Sequence, residues 1–411
     1  MNLLILSVKN VLAKPLNSLL SVLLFGFGVS IIVSILLVSS FLKNEITKNA
    51  QGIDLVVGAK GSPLQIILCN IFHIDFPTGN ISLQDANELT KNRLIESAIP
   101  LALGDSYKGY RIVGTTKAYP RLYDASLKSG DWFGEDMSAV VGANVAEIFE
   151  FKLGDEMESS HGLSEGGEGH GDSPIKVVGI LNPTGSVVDN LIFVTVQSVW
   201  NVHGGHGDEA PQEEVEKIDL NRLGLTVTPE QLAEEEVTSL LIKYRSPMAA
   251  VQLPRIVNGT SNLQAASPPF ETARLFSIIG VGVDVVNILG LVIVILSATS
   301  VFIALFNSLK ERKYELAIMR SMGASRGKIF QLIMIEGFVL TILGSFFGFL
   351  LAHFGFVVLN ASLEQIQSTH MFFITEEYYV MLGSLVIGIF ASVIPAMMAY
   401  NDDISETLSK A

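Results

Sequence analysis

Four long apolar stretches constrain the fold of this 411-residue chain more than any other feature of its sequence. They cover residues 17–42, 277–307, 329–359 and 378–400. Each is long enough for an α-helix to cross the hydrocarbon core of a bilayer, which takes about 20 residues. Only 17% of the residues are charged, whereas soluble domains have roughly 25%. The sequence therefore predicts an integral membrane α-helical protein with four transmembrane helices.

Residues 43–276, between the first and second apolar stretches, have the composition of a soluble domain. Runs rich in β-branched residues and punctuated by glycines predict strands or strand–helix starts, at 109–116, 139–146, 175–181, 190–196 and 237–244. Segments 82–92 and 246–258 have helix signals. The first opens on a Ser N-cap, and Pro254 is expected to interrupt the second. The apolar run 64–72 is too short to cross a membrane, and is either a buried core element or a surface that meets membrane or an apolar substrate. We therefore expect a large external α/β domain inserted between the first and second transmembrane helices.

The distribution of Lys and Arg predicts the orientation of the helices. Residues 43–274 carry 18 Lys and Arg against 31 Asp and Glu. The other nine basic residues all fall on the cytoplasmic side if the N-terminus lies inside, as the positive-inside rule favours. Lys43 and Lys48 are exceptions to this rule. We therefore expect a cytoplasmic N-terminus, an external loop at 360–377 and a cytoplasmic tail at 401–411. The acidic balance disfavours nucleic acid as a partner.

The first 16 residues predict a short amphipathic helix on the cytoplasmic lipid surface, ahead of an uncleaved signal anchor. The second apolar stretch is long enough to extend outward as a stalk that carries Asp284. Glu336 and His353 are the other polar residues of note within the spans, and they form no chain of ionisable groups across the membrane. Pro395 is expected to kink or end the fourth span. The single cysteine, Cys69, excludes an internal disulfide framework.

A basic segment at 308–328, between the second and third spans, carries the most informative pattern. At 3.6 residues per turn, Leu316, Met319 and Met322 share one face of a helix. Gly323-Ala324-Ser325 then ends the helix before the third span. A membrane-surface helix held by its positive charge accounts for the basic residues but not for this ending. Small residues there would let another protein approach closely.

Residues 311–337 resemble the cytoplasmic coupling segment of the FtsX/MacB-type (LolC/LolE-like) ABC transporter permeases. Their sequence is ERKYELAIMRSMGASRGKIFQLIMIEG. The order of four spans, with one large external domain after the first, is similar to that family too. In the tail, Asp402 and Asp403 stand where the family often has basic residues. The positions that match the family pattern are Arg312, Glu315, Leu316, Ala317, Ile318, Arg320, Ser321, Met322, Gly323, Ala324, Ser325 and Glu336.

The resemblance implies the permease subunit of a mechanotransmitting ABC system in a bacterial cytoplasmic (inner) membrane. ATP and Mg²⁺ would bind to separate ATPase subunits, and GAKGSP at 58–63 lacks the spacing of a phosphate-binding loop. A dimer with a second copy or a paralogue is implied, and the external domain would act on a substrate or a periplasmic partner protein. The residues implied in ATPase coupling are Arg312, Glu315, Leu316, Ile318, Met319, Arg320, Met322, Gly323, Ala324 and Ser325.

Two low-complexity acidic loops, 156–174 and 203–216, contain four of the seven histidines. Imidazole and carboxylate groups are common zinc ligands, and glycines would let such loops wrap around an ion. Mobile acidic loops with incidental histidines are the alternative. The predicted zinc ligands are His161, His170, His203 and His206.

Two other functions remain open from the sequence. A membrane-anchored sensor would signal ligand binding inward without an ATPase. A metal-ion transporter would need His, Asp or Glu pairs at helical spacing within the spans, and the sequence lacks them. No nucleophile–base pair or paired carboxylates stand out, so we do not expect the chain itself to be an enzyme.

Overall fold

The structure is a computed structural model that describes residues 3–162, 174–204, 217–362 and 373–401. The chain divides into two compact units, with boundaries after Lys43 and after Ile278. The helical unit takes both ends of the chain, and the α/β domain lies between them in sequence. The predicted tail at 401–411 and the loop at 360–377 fall largely outside the described residues.

The chain opens with two helices, α1 (Leu3–Ala13) and α2 (Pro15–Asn49), with Lys14 between them. Pro15 starts the second helix, because its fixed φ suits the first helical turn and its missing N–H would have no partner there. The carbonyl of Lys14 accepts a hydrogen bond from the backbone N–H of Ser18, 3.1 Å away, as the first turn of α2 requires. The helix α1 thus falls within the predicted segment 1–16.

The α/β domain alternates short strands and helices. Its helices are α3 (Pro63–Asn70), α4 (Leu83–Thr90), α5 (Ala118–Arg121), α6 (Ala143–Ile148), α7 (Val196–Gly204), α8 (Pro229–Glu234) and α9 (Ala249–Thr260), with a 3-10 turn at Val187–Asn190. Its strands are β1 (Leu55–Ala59), β2 (Ile81–Ser82), β3 (Ile95–Tyr107), β4 (Tyr110–Thr115), β5 (Leu127–Gly130), β6 (Ser138–Val141), β7 (Glu156–Met157), β8 (Ser160–His161), β9 (Ile175–Leu181), β10 (Ile192–Thr195), β11 (Ile218–Leu220), β12 (Leu225–Val227), β13 (Glu236–Val237), β14 (Ser239–Tyr244) and β15 (Leu263–Ala266).

In the described residues, one mixed sheet of eleven strands organises this domain. Nine strands run in the order β15-β1-β14-β3-β4-β10-β6-β9-β5, while β7 pairs with β9 and β8 pairs with β3. The pairs β10–β4 and β6–β9 are parallel, and the other pairs in this sheet are antiparallel. The strands predicted at 109–116, 175–181, 190–196 and 237–244 are confirmed, and 139–146 is a strand followed by a helix.

Both faces of the sheet are covered by apolar residues. Successive residues of a strand point to opposite faces, and on β1 Leu55 and Val57 join one core cluster while Val56 joins the other. The interpretation of 64–72 as a buried core element is confirmed, because Ile66, Ile67 and Cys69 of α3 are fully buried. The helix predicted at 82–92 is confirmed as α4, with its Ser82 N-cap. The helix predicted at 246–258 is confirmed as α9, but the interruption expected at Pro254 is wrong, because α9 is continuous through this residue.

The C-terminal part of the chain is helical. It comprises α10 (Pro268–Glu311), α11 (Lys313–Ser321), α12 (Arg326–Ser362) and α13 (Thr375–Asn401). With α2, the chain has four candidate membrane spans among the described residues: Pro15–Asn49, Asp284–Glu311, Arg326–Leu359 and Thr375–Asn401. The helix α13 continues through Pro395 to Asn401, so this proline does not end the fourth span.

Small residues bring α12 and α13 close together. A Cβ added at Gly388 would lie 2.1 Å from Oγ1 of Thr341, and one added at Gly337 would lie 1.8 Å from Oγ of Ser392. Membrane helices usually pack through small residues that allow close approach, because lipid is as apolar as the side chains and supplies no hydrophobic driving force for association. The helices α12 and α13 are therefore in close contact at these small residues.

Candidate coupling site

The helix α11 ends in a glycine cap. Gly323 has φ +101°, a left-handed conformation that a residue without a Cβ adopts without strain. The N–H of Ala324 donates to the carbonyl of Met319, and the N–H of Gly323 donates to that of Arg320, both at 3.0 Å. This pair of hydrogen bonds is a Schellman motif. The positive charge of the segment did not explain why α11 ends in Gly323-Ala324. The structure shows that these two residues form the cap that ends α11 before α12 begins at Arg326.

One face of α11 packs on the helical unit. Leu316 and Ala317 are buried, and Met319 is partly buried. Leu316 and Met319 belong to an apolar cluster with residues of α1, α10, α12 and α13. The other members are Leu309, Ile329, Leu332, Ile333, Ala396 and Ala399, with Leu3, Leu6, Phe330 and Met334 at the edge. This packing fixes the orientation of α11 relative to the spans of the same unit.

The opposite face of α11 leaves apolar side chains exposed. Tyr314 is 52% exposed, Ile318 is 37% exposed and Met322 is 83% exposed. Their spacing of four residues places them in one row along the helix. Leu316 and Met319, which the sequence placed on one face with Met322, lie instead toward the helical unit. Sequence reasoning did not single out Tyr314, although its spacing of four residues from Ile318 could have indicated that the two side chains share a face.

A buried carboxylate ties the start of α11 to two other helices. Glu336 of α12 is buried, and its Oε1 lies 3.1 Å from Nη1 of Arg312. Nδ2 of Asn10 in α1 donates to the same oxygen. Nε of Arg312 also lies 3.1 Å from Oε2 of Glu315, which is largely exposed. Breaking a buried ion pair by removing one partner costs about 3–5 kcal/mol, whereas an exposed pair contributes about 0–1 kcal/mol.

A second set of contacts holds α1 against the same region. Oγ of Ser7 donates to the carbonyl of Leu332 at 3.2 Å, and Lys14 forms an ion pair with Glu311 at the end of α10. The N-terminal helix is thus joined to α10 and α12 by side-chain contacts. Sequence reasoning identified Glu336 but missed Asn10 and Ser7, because nothing in the local pattern of α1 shows a partner more than 300 residues away.

The remaining coupling residues lie around the end of α11. Ser325 is exposed and Ala324 is half-buried. The carbonyl of Ser325 accepts the first hydrogen bonds of α12, from Lys328 and Ile329. Arg320 is half-buried on α11. The structure therefore brings all ten predicted residues into one short region, from Arg312 to Ser325, but divides them between an inward and an outward face.

The predicted zinc ligands are only partly described. His203, near the end of α7, has Nε2 3.3 Å from Oδ2 of the buried Asp105 on β3. The hydrogen bond to Asp105 raises the pKa of His203, and partial burial opposes that shift. His161 ends β8, and its backbone is the register partner of Asp105. His170 and His206 lie outside the described residues. Among the residues that are described, no group of three His, Cys, Asp or Glu stands close enough to hold a metal ion.

Other polar residues noted in the sequence have local partners. Nδ1 of His353 lies 3.0 Å from the carbonyl of Phe349, and its Nε2 lies 3.7 Å from Glu377 of α13. Asp284 is exposed on α10. Nζ of Lys60 donates to the carbonyls of Asn258, Ser261 and Leu263, so the lysine of GAKGSP holds the turn between α9 and β15.

Four apolar helices, an α/β domain inserted after the first and an amphipathic helix between the second and third define a multi-pass membrane protein of permease type. Two family models match the chain: the MacB-like periplasmic core domain over residues 18–252 and the FtsX-like permease C-terminal domain over residues 287–404. The chain belongs to the FtsX/MacB-type ABC transporter permease family. Members of this family are membrane subunits and not enzymes in themselves.

Solved structures of external regions from two transporters are similar to part of the chain. The periplasmic region of MacB from Actinobacillus actinomycetemcomitans is 14% identical, with a TM-score of 0.33, over 56% of this chain and 97% of that one. The extracellular domain of the noncanonic ABC-type transporter YknZ from Gram-positive bacteria is 13% identical, with a TM-score of 0.30, over 52% of this chain and 99% of that one. No curated protein sequence matches the chain.

Proposed function

We propose that this chain is the membrane subunit of a mechanotransmitting ABC system, and that α11 couples it to a separate ATPase subunit. The observation that carries the proposal is the division of α11 into two faces. Its inward face packs on the helical unit through Leu316 and Ala317, while Tyr314, Ile318 and Met322 form an exposed apolar row. An amphipathic helix binds a groove through spaced apolar anchors of this kind.

The contacts behind α11 suit it to transmit force. Arg312 at its start is ion-paired with Glu336 of α12, which also accepts from Asn10 of α1. A displacement of α11 by the ATPase would therefore be passed to α1 and α12 together, as rigid elements carry shifts between packed neighbours. In this mechanism the movement would reach the external domain and act there on a substrate or a periplasmic partner protein.

The rest of the assembly follows from the same proposal. ATP and Mg²⁺ would be bound by the ATPase, and two such subunits would serve a dimer of this chain with a second copy or a paralogue. The distribution of basic residues favours an inner-membrane protein with cytoplasmic termini, with α11 on the ATPase side. Zinc binding by His161, His170, His203 and His206 is a second proposal, which the contact between His203 and Asp105 favours.

Co-purification tests the coupling role directly. Tagged full-length protein is purified in mild detergent, and an ATP-binding cassette protein is identified and quantified by mass spectrometry. We expect the double variant Ile318→Glu, Met322→Glu to lose this subunit while inserting normally. Lys328→Glu on α12 is the control, because it changes the net charge by the same amount and is exposed.

Two results would overturn the docking role of α11. One is retention of the ATPase by the double variant. The other is an equal loss in Lys328→Glu, which would show that net charge holds the subunit. Purification of an intact dimer with no ATPase would favour the membrane-anchored sensor.

A further inference from the structure

Four aromatic side chains of the α/β domain form a cluster beside the turn between β3 and β4. Tyr107 ends β3, Tyr110 begins β4, and Phe149 and Phe151 follow α6 in the chain. The ring of Phe149 is central, with its centroid 5.2 Å from that of Tyr107, 5.5 Å from that of Tyr110 and 5.9 Å from that of Phe151. All four are only half-buried. The aromatic cluster therefore keeps part of its surface accessible.

A lysine lies over two of these rings. Nζ of Lys108 is 5.2 Å from the ring centroid of Tyr107 and 5.3 Å from that of Phe149. The face of an aromatic ring carries negative partial charge and attracts a cation within about 6 Å. Lys108 is itself exposed. These ring faces thus accept an ammonium group, and the group that they hold belongs to a side chain at the surface.

The backbone beside the rings adopts uncommon conformations. Lys108 and Gly109 form the two-residue turn between β3 and β4, with φ 47° and 87°. Such a turn favours Asn, Asp or Gly at its first position, and a lysine there is uncommon. Glu150, which separates the two phenylalanines, has φ 54°. Left-handed residues other than glycine cost free energy and cluster at binding sites, where the surrounding structure holds them.

The chain around the phenylalanines carries an excess of negative charge. Residues 147–158 have five acidic side chains and one basic side chain, Lys152, and all six are exposed. The acidic residues are Glu147, Glu150, Asp155, Glu156 and Glu158. Ile148, next to Phe149 in the chain, is 41% exposed. Charge complementarity therefore favours a basic partner, and the apolar surface suits the long aliphatic stems of Lys and Arg.

We propose that the aromatic cluster is a docking surface for a basic segment of a polypeptide outside the membrane. A Lys or Arg side chain of the partner takes the place of Lys108 over the rings of Tyr107 and Phe149, and the acidic residues nearby attract its other basic groups. Lys108 is then an internal competitor that leaves when the partner binds. This inference extends the proposed action of the external domain on a partner, but it does not depend on the docking of α11, because binding needs no ATPase.

Fluorescence anisotropy of a labelled octapeptide of alternating Lys and Gly, added to full-length protein in a neutral detergent, tests this surface. We expect Phe149→Leu, which keeps an apolar side chain but removes the ring, to weaken binding by about two- to fivefold, the value of an exposed cation–π contact. Lys108→Ala should strengthen binding by a similar factor, because it frees the ring faces. Lys152→Ala is the matched control, since it removes the same charge from an exposed lysine beside Phe151 and should have a smaller effect.

The proposal fails on any of four results. One is equal binding of the matching peptide of Glu and Gly. Another is unchanged affinity in both Phe149→Leu and Tyr107→Leu, with tryptophan fluorescence showing which variants are folded. An equal gain in Lys108→Ala and Lys152→Ala would assign the effect to net charge alone. Displacement of the peptide by an equal concentration of choline would assign the rings to a small ammonium ligand. None of these results alters the co-purification of an ATPase, so the two proposals fail separately.

Discussion

The α/β domain and the helical unit use the same apolar residue types in opposite ways. In the domain, large side chains such as Phe193 and Tyr119 are fully buried on the faces of the sheet. In the helical unit, Phe346 is 68% exposed and Leu350 is 56% exposed, while Gly337 and Gly388 lie at the helix contacts. The difference follows from the solvent, since water drives apolar surface inward and lipid does not.

The largest expected effect comes from removing a core ring of the domain. Phe193 packs against Phe133 and Tyr119, with ring centroids 6.5 and 6.0 Å away. We expect Phe193→Ala to lower the free energy of unfolding of the domain by about 3–5 kcal/mol, because it leaves a cavity. Urea unfolding followed by tryptophan fluorescence measures it, since Trp132 and Trp200 both lie in the domain. Phe346→Ala is the comparison in the helical unit, and the thermal midpoint of aggregation in detergent measures its effect because the tryptophans lie in the other unit. A loss of stability as large as that of Phe193→Ala would contradict the difference between the two regions.

A charge on the lipid-facing surface should have the next largest effect. Lysine at the centre of a membrane helix costs about 2.5–3.5 kcal/mol on insertion scales, so Leu350→Lys should reduce the amount of protein in carbonate-washed membranes. Val251, exposed on α9, offers the comparison, since Val251→Lys in water should change stability by about 0.5 kcal/mol or less. Normal insertion of Leu350→Lys would show that this face of α12 does not meet lipid.

Helix contact in the helical unit should be sensitive to one added side chain. Gly388→Val would clash with Thr341 on α12, and we expect a loss of about 1–3 kcal/mol, as for other overpacked contacts. The thermal midpoint of aggregation in detergent measures it. At Gly383, in the same helix, an added Cβ would meet no described atom within 4 Å, so Gly383→Val should be tolerated. If adding Thr341→Gly to Gly388→Val did not raise the thermal midpoint, the result would argue against a clash between these two positions.

Patterns within a short window of sequence predicted much of both regions. Apolar length predicted the four spans, and β-branched runs predicted the main strands, because each depends on neighbouring residues. Helical periodicity showed that α11 is amphipathic, but it could not show which face meets the rest of the chain. Leu316 therefore appeared as an anchor for a partner, although it packs inward.

Contacts between distant residues were beyond those patterns. Asp105 and His203 are brought together by a strand bulge and by packing of α7 on the sheet. Asn10 reaches Glu336 only because α1 packs against α12. Neither pairing leaves a local signal, since the partner residues belong to separate elements whose arrangement depends on the whole fold. The sequence thus singled out the segment around α11, whose coupling role stays a prediction, but it did not indicate the contacts that this segment makes with the rest of the chain.

The smallest effect concerns a buried histidine of the domain. His73 bonds the hydroxyl of Tyr119 at 2.8 Å, and burial, reinforced by the nearby Arg111, lowers its pKa to about 3. The unfolded chain therefore binds more protons than the folded domain between pH 6.5 and about 3, so stability present above pH 6.5 is lost as the pH falls. Because pH 5.5 is one unit below the unfolded pKa, the loss of stability at that pH should be about 1.4 kcal/mol.

Urea unfolding at pH 7.5 and 5.5 measures the contribution of His73. The variant His73→Asn tolerates the left-handed backbone at φ 54°, and it removes the titrating group while keeping a polar side chain beside Tyr119. It should therefore lose less stability over that interval than the unmodified protein. An equal loss of stability in both proteins would assign the acid sensitivity to groups other than His73.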